Sequence, residues 1–261
     1  MKVTCIQMDM HFGRPEENFQ KASALIDSAM AEQPDVLVLP ELWTTGFFPK
    51  ENLSALSDRN GERVKDVIGS LAKKHRVNIV AGSVAETQGE KVYNTCYVFN
   101  RKGDCIAQYR KTHLFSPMGE DQAFAAGDDL CTFTLDGVPC GVIICYDVRF
   151  PELSRSLTLK GIDCLFMVAQ WPIQRIGHLQ TLCSARAIEN QVFFICCNSC
   201  GKADGTDYGG HSAIIDPLGK ILAQASTEET AISAHLDLTA LSDIRNSINV
   251  FADRRPNLYR L

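Results

Sequence analysis

Short apolar runs, alternating or continuous, are separated along this chain by stretches of helical spacing, so strand and helix take turns from the first residues onward. Residues 2–8 suit a strand, 15–31 a helix opened by Pro15 in its first turn, and 35–39 a short apolar strand, together a β-α-β start. A helix over 62–75 and an extended run over 77–84 repeat the unit. The pattern then changes. Strands over 92–99 and 104–110 adjoin Gln88-Gly89-Glu90 and Asn100-Arg101-Lys102-Gly103, residues that favour tight turns, and are expected as antiparallel neighbours.

Asp136-Gly137 is a strong hairpin signal between apolar strands over 130–135 and 138–144. A helix over 151–160, a strand over 163–169, a helix over 174–190 and a strand over 192–197 follow, and the tail adds strands over 210–215, 220–225 and 230–236. Two similar halves, each with hairpins, favour an α/β fold in which two mixed sheets form a sandwich with helices on the outer faces. A doubly wound single sheet is the alternative, and the hairpins argue against it. No linker divides the 261 residues, so one domain over 1–261 is expected.

Composition narrows the partners. With 45% apolar and 22% charged residues the chain has the balance of an ordinary folded protein, and a net charge of −5 without a dense basic stretch disfavours nucleic acid. The apolar character of the first residues alternates and is broken at Asp9, which reads as a strand rather than a secretion signal or membrane segment. Eleven cysteines, odd in number and often inside apolar runs, point to free buried thiols in a reducing compartment, and hence to the cytoplasm.

Three polar residues stand at the ends of strands. Cys145 closes the strand Gly141-Val142-Ile143-Ile144 and leads through Tyr146-Asp147-Val148-Arg149-Phe150 to a helix opened by Pro151, a junction at which nucleophiles are often presented. With ten sister cysteines in the chain, a packed thiol is the competing reading. Glu41 follows Leu37-Val38-Leu39-Pro40, and Lys111 follows Tyr109-Arg110; taken singly, each could simply face water. Together they form a hydrolytic set. Glu41 can take the thiol proton and return it to a departing amine, Cys145 can attack a carbonyl, and Lys111 with the backbone N–H of Tyr146 can hold the negative oxygen of the intermediate.

The motifs Pro40-Glu41-Leu42-Trp43, Arg110-Lys111-Thr112-His113-Leu114-Phe115 and Cys145-Tyr146-Asp147-Val148-Arg149-Phe150-Pro151-Glu152 resemble, in order and spacing, the three signatures of the nitrilase or carbon–nitrogen hydrolase superfamily. The resemblance runs over essentially the whole chain. It implies a four-layer α-β-β-α sandwich, a small-molecule substrate, no cofactor or metal, and a homodimer or larger assembly in which paired subunits extend the sandwich. It also implies a second glutamate beside the lysine, Glu120, with Asp121 one register step away.

Trp171-Pro172-Ile173-Gln174-Arg175 and Ala185-Arg186-Ala187-Ile188-Glu189-Asn190-Gln191 resemble the omega-amidase branch, which implies hydrolysis of the terminal amide of an oxoglutaramate-type acid. Such a substrate needs a cation for its distal carboxylate. Arg149 and Arg175 are the candidates, with Trp171 and Tyr146 beside them; Arg149 could instead anchor the nucleophile turn through Asp147 or Glu152, the role favoured for it. N-carbamoyl amino acids and nitriles are the alternative substrates. Cys197-Asn198-Ser199-Cys200 is a C-x-x-C, but a polar loop follows it and no second ligand pair completes a metal site. A binding protein that kept the fold and lost the chemistry would be expected to lack one of Glu41, Lys111 and Cys145, and all three are present.

Overall fold

The computed structural model describes residues 1–259. One sheet runs in the order Thr230–His235, Lys2–Gln7, Val36–Val38, Asn78–Gln88, Lys91–Phe99, Cys105–Arg110, and the short strand Asp58–Arg59 also pairs with Asn78–Gln88. The other runs Ile221–Gln224, Ala213–Ile215, Phe193–Asn198, Cys164–Ala169, Val138–Ile144, Thr132–Leu135. Both are mixed. The central strands are parallel, as their helical crossovers require, and the hairpins lie toward the edges.

The continuous apolar strands are explained by burial on both faces. In the second sheet Val142, Ile144, Phe166, Val168, Phe193 and Ile195 point to the first sheet and meet Val3, Cys5, Val38, Val80 and Val98 there. The alternate positions Ile143, Leu165, Met167 and Phe194 face Leu153, Leu157, Leu179 and Ala187 on the helices Pro151–Thr158 and Ile176–Asn190. On the other side Ile6, Leu37 and Ile79 pack on Phe19, Ile26, Val64 and Ile68 of the helices Pro15–Ala29 and Glu62–His75. The result is the four-layer α-β-β-α sandwich expected from the sequence, with period-2 strands at its centre and spacings of three and four on the helices.

Several local expectations change. The strand expected to stop at 84 runs on to Gln88, and its register shifts between Val80 and Ser83. Gly82 makes that bulge: its φ is +61°, and a Cβ there would lie 2.0 Å from Pro40 O, so only glycine lets the two backbones pass. The first helix ends at Ala29 and tightens into a 3-10 turn over Met30–Glu32. The helix expected from 174 starts at Ile176, after a 3-10 turn over Ile173–Arg175. The segment after the C-x-x-C, expected as a loop, is a hairpin of Cys200–Ala203 with Thr206–Gly209. Its Asp204-Gly205 turn has the same paired positive φ as Asp136-Gly137, the geometry of a tight hairpin. All eleven cysteines are free, but Cys105 is exposed and Cys145 half-buried, so the expectation of buried thiols fails at these two. No described helix is long and apolar enough to cross a membrane.

Candidate active site

The first sheet delivers a charged cluster to one end of the seam between the sheets. Pro40 ends the strand Val36–Val38, and the backbone N–H of Glu41 reaches across to Ala169 O of the second sheet at 3.3 Å. That contact fixes the carboxylate where the strand ends of both sheets meet. Lys111 follows the strand Cys105–Arg110 and is tied to its neighbour by a bond from its N–H to Asn94 O at 2.9 Å. Its Nζ lies 2.8 Å from Glu41 Oε1 and 2.9 and 2.8 Å from the two oxygens of Glu120. Glu41, Lys111 and Glu120 are essentially sealed from solvent. Asn94 completes the cluster, its Nδ2 donating to Glu41 Oε1 at 2.9 Å and Glu120 Oε1 at 3.1 Å.

Glu120 rather than Asp121 is the second acid of this cluster. Gly119, at φ +77°, turns the chain into the one-turn helix Glu120–Ala123 so that Glu120 points inward, where Phe115 N–H donates to its Oε2 at 2.6 Å; Asp121 is exposed. Two carboxylates and one ammonium leave the cluster with a formal charge of −1, and among the described residues no other buried cation pairs with it.

The second sheet supplies the thiol. Cys145 ends the strand Val138–Ile144 with φ +49° and opens a 3-10 turn over Cys145–Arg149. Asp147 holds this turn. Its buried carboxylate accepts bonds from Ile144 N–H at 2.9 Å, Tyr109 Oη at 2.8 Å, Thr112 Oγ1 at 3.1 Å, His113 N–H at 3.0 Å and His113 Nδ1 at 2.8 Å. From the other side Arg186 Nε donates to Val148 O at 2.9 Å. Arg149 therefore does not have the anchoring role favoured for it from the sequence: Asp147 is satisfied by residues of the first sheet, and the guanidinium that grips the turn belongs to Arg186.

A narrow cleft opens at Cys145, lined by Lys111, Glu120, Tyr146, Trp171, Phe115, Arg149 and Arg175 among others. Its aromatic lining and few converging polar groups suit a small organic molecule. Arg149 lies over the Trp171 ring at 4.7 Å, with Nη2 3.4 Å from His178 Nδ1, and Arg175 lies over the Phe115 ring at 5.0 Å. Neither guanidinium pairs with a carboxylate among the described residues. The rings of Phe115 and Phe150 pack edge-on against Tyr146 and fix its side chain. The backbone N–H of Tyr146 has no backbone partner outside its own turn among the described residues.

Burial and charge decide where the proton rests. Burial raises the Glu41 carboxyl above the ordinary carboxylate range, and the Glu120 charge adds to it against the pull of Lys111. Burial and the Glu41 charge push the Cys145 thiol well above its ordinary range, with Lys111 pulling the other way. Burial works against the charge of Lys111, but Glu120 and Glu41 outweigh it and hold the ammonium well above its ordinary range. A cluster already negative resists a second anion, so at rest Cys145 is a thiol and Glu41 the adjacent acceptor.

A family description for carbon–nitrogen hydrolases matches residues 2–246. The chain belongs to that family. This hydrolase acts on carbon–nitrogen bonds other than peptide bonds, and several of its relatives are amidases by name. It is 45% identical to the 2-oxoglutaramate amidase of Bacillus subtilis (strain 168) over 98% of both chains. It is 33% identical to the Omega-amidase NIT2 of Xenopus tropicalis over 93% of this chain and 91% of that one. Among solved structures, Saccharomyces cerevisiae Nit3, a member of branch 10 of the nitrilase superfamily, superposes with a TM-score of 0.90 at 28% identity, covering 98% of this chain and 96% of that one.

Several residues that the hydrolase gathers around Cys145 gave no sign in the sequence, Phe47, Asn94, Gln170 and Tyr208 among them. Asn94 lies inside a strand, where its one distinguishing mark is a polar side chain at an inward position of Val92-Tyr93-Asn94-Thr95-Cys96. Gln170 stands just past the strand Cys164–Ala169, where its backbone N–H lowers the proton affinity of the Cys145 sulfur by hydrogen bonding. Tyr208 comes in on the unforeseen hairpin. The C-x-x-C takes no part: Cys197 Sγ lies 3.3 Å from both Ile6 O and Val38 O, to which its one hydrogen can be donated, in the seam between the sheets. Among the described residues no cluster of His, Cys, Asp or Glu has the arrangement of a metal site.

Proposed function

We propose that this hydrolase releases ammonia from the ω-amide of a small 2-oxo dicarboxylic acid, such as 2-oxoglutaramate or 2-oxosuccinamate. One observation carries the choice of substrate: two arginines without carboxylate partners face the cleft that holds the thiol. An amide acid would place its distal carboxylate on Arg149 or Arg175 and its amide carbon over Cys145. Similarity to the Bacillus subtilis 2-oxoglutaramate amidase supports the same reading.

In this mechanism Glu41 takes the thiol proton as Sγ attacks the amide carbonyl, so thiolate character develops only during attack. The backbone N–H of Tyr146 and the charge of Lys111 meet the negative oxygen. Glu120 and Asn94 keep Lys111 and Glu41 in register. Glu41 then protonates the nitrogen, ammonia leaves, and a thioester remains on Cys145. Water, deprotonated by Glu41, attacks the thioester and frees the acid. Protein groups alone carry these steps, without a cofactor. We place the protein in the cytoplasm, where its free thiols stay reduced, and carry the homodimer implied by the family resemblance as part of this reading.

The test is ammonia release from 2-oxoglutaramate and 2-oxosuccinamate beside N-carbamoyl amino acids and simple nitriles. Turnover of the ω-amides alone is expected, and Cys145→Ala should abolish it, by on the order of 10⁴-fold or more. Silence toward the ω-amides would defeat the choice of substrate.

A further inference from the structure

The hairpin of Cys200–Ala203 with Thr206–Gly209 brings Tyr208 against the wall of the cleft. Tyr208 bridges to Pro172, the N–H of Gly209 donates to Trp171 O at 2.9 Å, and the Tyr208 ring lies 6.0 Å from that of Phe47. Pro172, Trp171 and Phe47 all line the cleft. Tyr208 is only 4% exposed, yet its hydroxyl has no hydrogen-bond partner among the described residues. Burial raises its proton affinity, and the neighbouring acidic groups Glu41 and Cys145 raise it further, so the hydroxyl stays neutral. Glu41 Oε2 is likewise buried and, the adjacent Cys145 thiol apart, has no hydrogen-bond partner among the described residues. A buried hydroxyl left without a partner is costly in the free protein, and a ligand that satisfies it relieves that cost.

We propose that Tyr208 is a catalytic residue for the cleavage of the carbon–nitrogen bond, its hydroxyl oxygen accepting one N–H of the substrate's carboxamide. This rests on the carboxamide reading above. With that hydrogen held by Tyr208, the lone pair of the nitrogen in the tetrahedral adduct turns toward Glu41 Oε2, which carries the proton taken from the thiol. The carbonyl re-forms, the carbon–nitrogen bond breaks, the proton passes from Glu41 to nitrogen, ammonia departs, and the acyl group stays on Sγ. Tyr208 exchanges no proton and stays neutral throughout.

The test compares Tyr208→Phe with the parent on a primary carboxamide and on the phenyl ester of the same acid. The leaving oxygen of the ester carries no hydrogen, so its kcat/KM, which reports acylation, should scarcely change. That for the carboxamide should fall roughly tenfold or more. The amide-to-ester ratio is independent of the folded fraction of the sample, so a poorly folding variant still answers the question. Because the lost hydroxyl has no partner in the free protein, the melting temperature should be unchanged or raised, and the rate at which iodoacetamide alkylates Cys145 should be unchanged. An unaltered amide-to-ester ratio would overturn the role of Tyr208 while leaving the carboxamide reading intact. A parent protein that cleaves the ester and no carboxamide would overturn both.

Discussion

Lys111 Nζ stands 2.8 Å from Glu41 Oε1, and the same ammonium is held on its other side by both oxygens of Glu120. One cation shared by two buried carboxylates places a surplus negative charge next to the thiol. The arrangement differs from a thiolate–imidazolium pair, in which the nucleophile is ionised before substrate arrives. Here the proton stays on sulfur until attack, so the reactivity of Cys145 depends on the carboxylate beside it.

Glu41→Gln separates stability from activity. The folded state raises the Glu41 pKa, so it favours the neutral acid; the stability linked to that shift is complete below the pKa of an unfolded glutamate and is lost as pH rises through the folded value. Glutamine has no proton to lose. The melting temperature of the variant should therefore gain on that of the parent from about pH 4.5 upward. Activity should fall about 10³-fold at neutral pH. Thermal melts across pH and ammonia assays check both, and a gap that narrows with rising pH would contradict the sign.

Asn94→Asp would set a third carboxylate against two. The substitution keeps the shape of the side chain but exchanges a donor bonded to both Glu41 and Glu120 for an acceptor in a site that excludes water. A loss of about 3 kcal/mol is expected at neutral pH, partly recovered in mild acid as one of the three acids protonates. Urea denaturation at two pH values measures it.

Asp147→Asn should loosen the nucleophile turn. A carboxylate that accepts from Ile144, Tyr109, Thr112 and twice from His113 cannot be matched by an amide, whose NH₂ would confront a donor. The expected cost is about 3 kcal/mol in stability. The alkylation rate of Cys145 should change with it, since the backbone angle of that residue depends on the turn.

Arg175→Gln and Arg149→Gln, assayed separately, identify the carboxylate site. The arginine that binds the distal acid should lose roughly ten- to a hundredfold in kcat/KM toward an ω-amide acid, while the uncharged amide of the same length is scarcely affected. The other should affect both substrates alike. Equal behaviour of both variants on both substrates would place the carboxylate elsewhere.

Glu41, Lys111 and Cys145 were legible as a set, because each ends a strand and the three together complete one hydrolytic mechanism. Glu120 needed the family resemblance, since Ser116-Pro117-Met118-Gly119 does not reveal the turn that points it inward. Asn94 was hidden because a residue inside a strand gives no local sign of what its side chain meets. Asp147 stood within the nucleophile motif, but most of its partners are 34 to 38 residues away, a distance that local pattern cannot bridge. Asp204-Gly205 is a turn signal of the same kind as Asp136-Gly137, but the polar residues around it lack the apolar runs that mark the strands of a hairpin. The missed bulge at Gly82 has the same origin as Asn94: its cause is Pro40 O, on another strand.

Glu41, Asn94 and Lys111 descend from one sheet, and Cys145 and Gln170 from the other. The apolar seam between the sheets would tolerate many repackings, because methyl groups are indifferent to their partners. The chemistry would not: a slide of one sheet by a single residue step, about 3.3 Å, would part carboxylate from thiol while most of the seam stayed closed. The fit of Val38 and Val80 against Ile144 and Val168 thus works as a gauge as well as a core. Selection on catalysis acts on its tolerances wherever selection on folding alone would leave them loose.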